Sequence, residues 1–594
     1  MLAARRRVVL SGFMVERVAD QIVAQLIEAG VKRIYGIVGD SLNPIVDAVR
    51  RSGGSQEGGV DWVHVRHEEA AAFAAGAEAQ LTGEVTACAG SCGPGNLHLI
   101  NGLYDANRSG APVLALASHV PSAQIGQSYF QETHPDRLFT ECSVYSELVS
   151  TPQQSPRVVA AALRHAVAAP GVAVVTLPGD VADQNAVGTA PNCFRIPRGI
   201  LVPRPEQVEQ LAAAINDAKR VALFVGAGIA GEHDAVVELA ELIGAPVGHS
   251  LRGKEHIQYD NPNDVGMTGL LGYGAAAEGM DDADLLVMLG TDFPYDQFLP
   301  EVTTAQVDRD AAVIGRRTSI DIPVHGDVGP TLAALMPLVR RKKNRRFLEK
   351  TLKRHDKLMD QAVGAYTRKV ETIRPIHPEY AASILDQVAA PDAVFTADTG
   401  MCNVWSARYI NPLGSRRMLG SFLHGSMANA LPQAIGAQLA DRDRQVISMS
   451  GDGGLDMLLG ELITAAHQEL PINVVVFNNS TLGMVKLEML VDKLPDHGVD
   501  VPAVDYAAVA SALGWHAQRV EDPTDLEGAF QQALDHPGPS LVDVVTDPLA
   551  LSIPPKITSE QVFGFATAMS KIVLNGGAGE AVSMARSNLR NIPR

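Results

Sequence analysis

The sequence predicts an α/β protein of three consecutive open parallel-sheet units followed by a C-terminal amphipathic tail. Apolar, β-branched runs alternate with amphipathic segments along most of the chain, the pattern of sheets covered by helices. The 594 residues exceed what one core holds, since single cores stop growing near about 250–300 residues. A Pro- and Gly-bearing stretch around 184–205 and a basic run around 340–357 interrupt the alternation. The units are therefore expected at 14–183, 195–340 and 365–550, with the tail at 551–594.

The first unit opens with the helical pattern VADQIVAQLIEAGV and the strand RIYGIVG. WVHVRHEEAAAFAAGAEAQL reads as a strand running into an alanine-rich helix, and PVLALAS and VAVVTLPGD as buried strands. The second unit begins at VALFVGAGIAG, where GAGIAG matches GxGxxG; a generic strand-to-helix turn fits it as well as a dinucleotide fingerprint does. RRKKNRRFLEKTLKRHDK suits a solvated linker helix in an acidic chain. The third unit, from about His377 to Asp547, contains GDGGLDMLLGELITAAHQELPINVVVFNNSTLG (451–483). QVISMS before it and INVVVF within it read as buried parallel strands. LLGELITAAHQEL reads as the connecting helix, with Leu458, Leu462, Ile463, Ala466 and Leu470 at helical spacing and Pro471 as its stop.

Composition narrows the function. A net charge of −18 argues against nucleic acid as the main partner. The cysteines Cys88, Cys92, Cys142, Cys193 and Cys402 are scattered, which suits a reducing compartment and no disulfide framework; Cys88 and Cys92 read as small buried residues. No apolar run reaches the roughly 18–20 residues that span a bilayer. The opening MLAARRRVVLSGFMVERVAD fails as a secretory or twin-arginine signal, because charge returns at Glu16 and Arg17; an extension, or a start at Met14, is expected instead.

The chemistry is expected where the third unit's strands end. Asp452 and Asn479 fall just past the carboxyl ends of two strands, the edge at which open α/β sheets bind ligands. One carboxylate and one amide oxygen, with no Cys or His beside them, suit a hard cation such as Mg²⁺ bridging to a diphosphate. Flanking glycines let the backbone approach such a ligand. Glu68 stands where a strand turns into a helix, where a carboxylate also simply suits the helix dipole.

GDG followed by NN at this spacing resembles the diphosphate motif of thiamine diphosphate enzymes. The resemblance implies thiamine diphosphate and Mg²⁺ as cofactors, with Asp452, Asn479 and the Thr481 carbonyl on the metal. It implies a cradle of Gly453, Gly454, Ser480, Leu482, Gly483, Met484 and Val485 as well. Glu68 would hydrogen-bond the aminopyrimidine ring from an apolar pocket that raises its pKa. Met427 would wedge the cofactor into its bent shape, with Gly425 and Ser426 facing it. LRGKEH, GMTGLLG, GTDFPY and QVD resemble the flavin-binding middle domain of the pyruvate oxidase branch. FAD would then be lined by Thr268, Gly269, Leu270 and Leu271, by Thr291, Asp292, Phe293, Pro294 and Tyr295, and by Asp308, with Arg252 at its phosphates.

RHEEAAAFAAGAEAQL, CAGSCGPGNLHLINGLYD, YFQETHP, DNPNDVGMTGL and GSFLHGSMANALPQA are similar to the quinone-linked pyruvate oxidases in particular. That similarity implies oxidative decarboxylation of pyruvate to acetate and CO₂, with electrons passing through FAD to a membrane quinone. Phe130 and Gln131 would lie near the substrate. Met484 departs from the branch, which has phenylalanine there to assist electron transfer. Acetolactate synthases share LGMV, but carry a tryptophan where this chain has Glu488. The alternatives are therefore a synthase-like carboligase with structural FAD and a phosphate-dependent pyruvate oxidase. From another class, a catalytically dead membrane-associated scaffold is opposed by the joint presence of Glu68, Asp452 and Asn479. The resemblance also implies a homo-oligomer, at least a dimer and usually a tetramer.

The tail ITSEQVFGFATAMSKIVLNGGAGEAVSMARSNLRNIPR places Val562, Phe565, Met569, Ile572 and Val573 on one helical face. Val582, Met584, Ala585 and Leu589 follow, with Arg586, Arg590 and Arg594 among them. A helix packed on its own subunit and an interfacial anchor with arginines near anionic lipid both fit. The resemblance implies the anchor, hence a cytoplasmic protein peripheral on the inner face of the cell membrane.

Overall fold

Strands and helices alternate through three separate sheets. The computed structural model describes residues 16–188 and 199–551, and four later positions, Met584, Ser587, Asn588 and Arg590. The first sheet contains Arg33–Gly36, Asp61–His64, Thr86–Gly90, Val113–His119, Tyr145–Leu148 and Val172–Pro178. Across it the strands lie in the order second, first, third, fourth, sixth, fifth, all parallel. The third sheet repeats this order with Val394–Ala397, Arg417–Gly420, Val446–Gly451, Ile472–Asn478, His516–Val520 and Ser540–Val545. The middle sheet has seven strands, from Val221–Val225 to Ile322–His325. Its two-residue edge strand Tyr273–Gly274 runs antiparallel to Asp264–Met267. These are the three parallel-sheet α/β domains expected from the sequence.

The outer units are joined by small residues. Helix Glu68–Thr82 has buried alanines all round, at positions 70–72, 74, 75, 77 and 79. It packs on helix Pro94–Arg108 of its own unit and on helix Ala430–Ala440 of the third. The closeness leaves no room for larger side chains. A Cβ at Gly102 would stand 2.6 Å from Ala72 Cβ, and one at Gly436 would stand 2.1 Å from the Ala74 carbonyl oxygen. One apolar core accordingly runs through both units, from Val113 and Leu103 to Leu431, Ile435 and Val474.

The connection after Asp452 differs from the single helix expected. Asp452–Met457 and Glu461–His467 are separate helices. Glu469 takes φ +50° and Pro471 disfavours helix at Leu470, so Leu470 lies outside the helix although it is still buried. Ile463, assigned to the apolar face, is 41% exposed. The basic run forms helix Arg346–Gln361, which buries Leu348, Thr351 and Leu358. Most of the tail, including Val562, Phe565, Met569, Ile572 and Val573, lies outside the described residues.

Gly436→Val is expected to lower the thermal midpoint through a loss of about 1–3 kcal/mol, the usual cost of overpacking. A melting curve of the purified variant checks this.

Candidate active site

Strands Val446–Gly451 and Ile472–Asn478 are parallel neighbours, with Gly451 opposite Phe477, so Asp452 and Asn479 emerge side by side. Asp452 is 3% exposed. Its Oδ1 accepts from Gly453 N at 2.8 Å, and its Oδ2 from Asn479 N at 3.0 Å and Ser480 N at 2.5 Å. Burial pushes this carboxyl up to about 6, and the three N–H groups act against that shift. Asn479 Oδ1 accepts from Thr481 N at 3.1 Å. Ser480 holds φ +54°, a strained value for a residue with a side chain, which aims its N–H at Asp452.

A cleft opens over this turn. Its walls include Gly400, Met401, Met427, Gly453, Gly454 and the 481–485 segment around Met484. Glycine is required twice. A Cβ at Gly454 would fall 1.8 Å from Asp398 Oδ2, and one at Gly453 would fall 2.7 Å from Leu482 Cδ2. Asp398 lies beneath the turn, its carboxyl pushed up to about 7 by burial and lowered in part by N–H groups from Ala428 onward. Among the described residues no group of three or more His, Cys, Asp or Glu could hold a metal. The oxygen donors Asp452 and Asn479, beside the Thr481 carbonyl, fit a hard cation that completes its shell with phosphate and water.

Glu68 begins helix Glu68–Thr82 and is 6% exposed. It was expected in an apolar pocket; instead its Oε2 lies 2.9 Å from Nδ1 of His98. The His98 ring stacks on His67 with centroids 4.3 Å apart. Sequence reasoning missed His98. It also missed Glu461, a fully buried carboxylate from the third unit whose Oε1 accepts from the backbone N–H groups of Arg66 and His67, each at 2.9 Å. Thr464 Oγ1 donates to its other oxygen at 2.6 Å. The turn that carries Glu68 is thereby held by the helix that follows the Asp452 turn. A lone carboxylate inside the apolar LLGELITAA run is the signal that could have found it.

Glu68 does not line the Asp452 cleft of its own chain. Nor do Phe130, which is 78% exposed, or Gln131, which sits against Gly93 and within 3.7 Å of Cys92 Sγ. Met427 faces the cleft, whereas Gly425 and Ser426 do not line it. The Ser426 hydroxyl accepts from Asn101 Nδ2 at 2.8 Å, which turns it toward the first unit.

The middle unit places its expected flavin loops at strand ends. Thr268 is buried, and its Oγ1 has no hydrogen-bond partner among the described residues. Such an orphaned hydroxyl fits a polar ligand at this loop. Gly269 takes φ +108° under the Phe293 ring; Leu270 and Pro294 are exposed, and Thr291 is buried. Asp292 pairs with Arg316 at 2.8 Å and Arg317 at 3.1 Å. Asp308 Oδ1 accepts from Asp310 N at 2.9 Å. Arg252 donates to the Ser109 carbonyl at 3.2 Å, and so reaches the first unit. GAGIAG is used for packing: a Cβ at Gly226 or Gly228 would come within 2.6 Å of Gly290 backbone. Leu271 lies next to the third unit. Leu271 packs on the same core as Met484, and burial and then the Glu488 carboxylate raise the pKa of Tyr295.

A glycine turn with a buried carboxylate and an amide oxygen, at the carboxyl edge of a parallel sheet, suits a phosphate-bearing ligand. The family is more specific. Residues 16–138 match the N-terminal TPP binding domain of thiamine pyrophosphate enzymes, 208–335 their central domain and 398–544 their C-terminal TPP binding domain. The chain is 35% identical over 582 residues to the putative thiamine pyrophosphate-containing protein YdaP of Bacillus subtilis, covering 97% of this chain and 99% of that protein. It is 30% identical over 547 residues to a pyruvate oxidase of Lactiplantibacillus plantarum (89% and 88% covered). It is 31% identical over 544 residues to an acetolactate synthase of Mycobacterium bovis (87% and 85% covered). The chain belongs to the thiamine pyrophosphate enzymes.

Because a proton competes with the cation for Asp452, Mg²⁺ affinity is expected to fall as pH drops through about 6. Calorimetric titration at about pH 8 and about pH 5 checks the sign. Glu461→Ala leaves the partly buried N–H groups of Arg66 and His67 without their carboxylate and is expected to cost about 1–3 kcal/mol in all, read as a lower thermal midpoint.

Proposed function

We infer that the chain catalyses oxidative decarboxylation of pyruvate, with FAD as the internal electron acceptor and a membrane quinone as the final one. Pyruvate and water give acetate and CO₂, and the two electrons and two protons released convert quinone to quinol. The observation that carries this reading is helix Gly483–Val491. Met484 at its start lines the Asp452 cleft and packs on the same apolar core as Leu271 of the middle unit. One short helix therefore connects the diphosphate site to the loops expected to hold FAD.

Thiamine diphosphate, when bound, supplies the electron sink for loss of CO₂, and FAD takes up two electrons. Asp452, Asn479 and the Thr481 carbonyl would hold its Mg²⁺, and Met427 would support its bend. Glu68, steadied by His98, would exchange a proton with the aminopyrimidine nitrogen. Since Glu68 does not line its own chain's cleft, the reading needs a second copy to present it, hence a homo-oligomer of at least two chains and, from the resemblance, four. Exposed Phe130, Leu97 and Val38 on the first unit are suited to such a contact.

The quinone implies a membrane surface. No helix among the described residues is long and apolar enough to cross a membrane, so the proposed association is peripheral, through the tail, on the inner face of the cell membrane. Of the described tail positions, Met584 is buried with Leu487 and Leu490 of the same connecting helix, and Arg590 stands 5.4 Å over the Tyr366 ring. A second reading, acetolactate synthesis, is favoured by Met484 within LGMV and by the similarity to the mycobacterial synthase.

Anaerobic pyruvate added to protein loaded with FAD, thiamine diphosphate and Mg²⁺ is expected to bleach the flavin, and quinone in phospholipid vesicles to restore it, with acetate as product. Accumulating acetolactate over an oxidised flavin would move the chain to the synthases. Glu68→Gln is expected to slow bleaching by about 10²-fold or more while cofactor binding persists.

A further inference from the structure

Two cations at the boundary of the middle and third units, one buried and one partly buried, take no part in the site described so far. Lys254 of the middle unit is fully buried in helix Lys254–Ile257. Its ammonium donates at 2.5 Å to the carbonyl of Ala407, in helix Met401–Tyr409 of the third unit. It also stands 5.4 Å from the centroid of the Tyr273 ring. Arg408 reaches the other way, donating to the carbonyl of Leu271 at 3.3 Å and to that of Gly272 at 3.1 Å. Each unit thus inserts a cation into its neighbour and binds that neighbour's backbone.

This is a costly way to close a boundary. Burial pushes Lys254 down to about 7 and also lowers Arg408. Apolar side chains of similar size often close such a boundary with equal or better stability. Buried donors do fix geometry, because each carbonyl must be met at hydrogen-bond distance and angle. The carbonyls chosen lie on elements that lead to both halves of the chemistry. Helix Met401–Tyr409 begins at Gly400 and Met401 in the wall of the Asp452 cleft. Leu271 and Gly272 close the loop whose buried Thr268 hydroxyl has no partner among the described residues. Met267, Tyr273 and Ala407 form a small apolar cluster at the same boundary.

We propose that Lys254 and Arg408 are positioning residues that set the distance and orientation between the flavin loop and the diphosphate cleft, and thereby the rate at which electrons from the decarboxylated substrate reach the flavin. The proposal rests on the FAD reading above. The redox step is the one already balanced: two electrons and two protons pass to FAD as the pyruvate-derived carbon becomes acetate.

The test compares holoenzymes. Lys254→Met is expected to bleach its flavin with anaerobic pyruvate about tenfold or more slowly than wild type. Its affinities for thiamine diphosphate, read from quenching of the buried Trp405 in the cleft wall, and for FAD should stay within about threefold of wild type. Flavin fluorescence gives a readout independent of turnover: thiamine diphosphate should change it in wild type and not in Lys254→Met. Arg408→Lys keeps the charge but loses the planar fork; it should fall between the two, and it carries the test if Lys254→Met does not fold. Unchanged bleaching with an unchanged fluorescence response overturns the proposal, as does a matching loss of affinity for both cofactors, the mark of a merely structural role. A wild-type protein that takes up no flavin refutes the FAD reading itself, and the proposal with it.

Discussion

The contact between helices Glu68–Thr82 and Ala430–Ala440 constrains the rest of the molecule. With a Cβ at Gly436 excluded by the Ala74 carbonyl, the two axes can only take one close register. That register places Glu68, at the start of one helix, and the Met427 loop, just before the other, at fixed positions. Polar groups tie helix Ala430–Ala440 to its own unit and to helix Pro94–Arg108 of the first. Gln433 Nε2 donates to Asp105 Oδ2 at 3.1 Å, and Asn429 Nδ2 donates to Gln433 Oε1 at 2.9 Å and to the Ala397 carbonyl at 3.0 Å. An alanine-only seam could slide by one helical turn. A buried polar network tolerates a single alignment, since each group left unpaired costs about 1–3 kcal/mol.

Buried acids follow the same logic nearer the chemistry. Asp452 and Asp398 are both raised by burial, and both are answered by backbone N–H groups rather than by cations. A lysine or arginine beside Asp452 would satisfy it in the absence of metal and compete with metal when it arrives. N–H groups orient the carboxylate and leave its charge available to a cation. Glu461 uses the same type of bond for another purpose, fixing the backbone at Arg66 and His67 with no metal in view.

Legibility in the sequence followed the range of the contacts. Asp452 and Asn479 could be read because strand, glycine turn, helix and strand lie within one short stretch, and the structure sets them on neighbouring parallel strands. The three α/β units could be read because each alternates apolar strands and helices. Glu461 could not be assigned a role, because its partners are Arg66 and His67, nearly 400 residues away, a separation of 395 for Arg66. Lys254 and Arg408 escaped for the same reason, and burial of a lysine runs against composition-based expectation. GAGIAG could be read either way from its local pattern; a distant strand end at Gly290 occupies the space the glycines leave, which favours the plain turn. The helix after Asp452 was overextended, because its apolar spacing continues past the point where Glu469 leaves helical geometry.

The outer sheets share one strand order but carry different side chains at equivalent edges. The segment after the second strand carries the acid Glu68 in the first unit and the thioether Met427 in the third. The loop after the third strand runs Ser91, Cys92, Gly93 in the first unit and Asp452, Gly453, Gly454 in the third. Only the latter offers a carboxylate, so only the third sheet suits a cation and its diphosphate. Both loops lie at the carboxyl edges of parallel strands, where ligands to such sheets collect. The middle sheet has another order and an antiparallel edge. Its loop at Leu271 packs on the same apolar core as Met484 of helix Gly483–Val491.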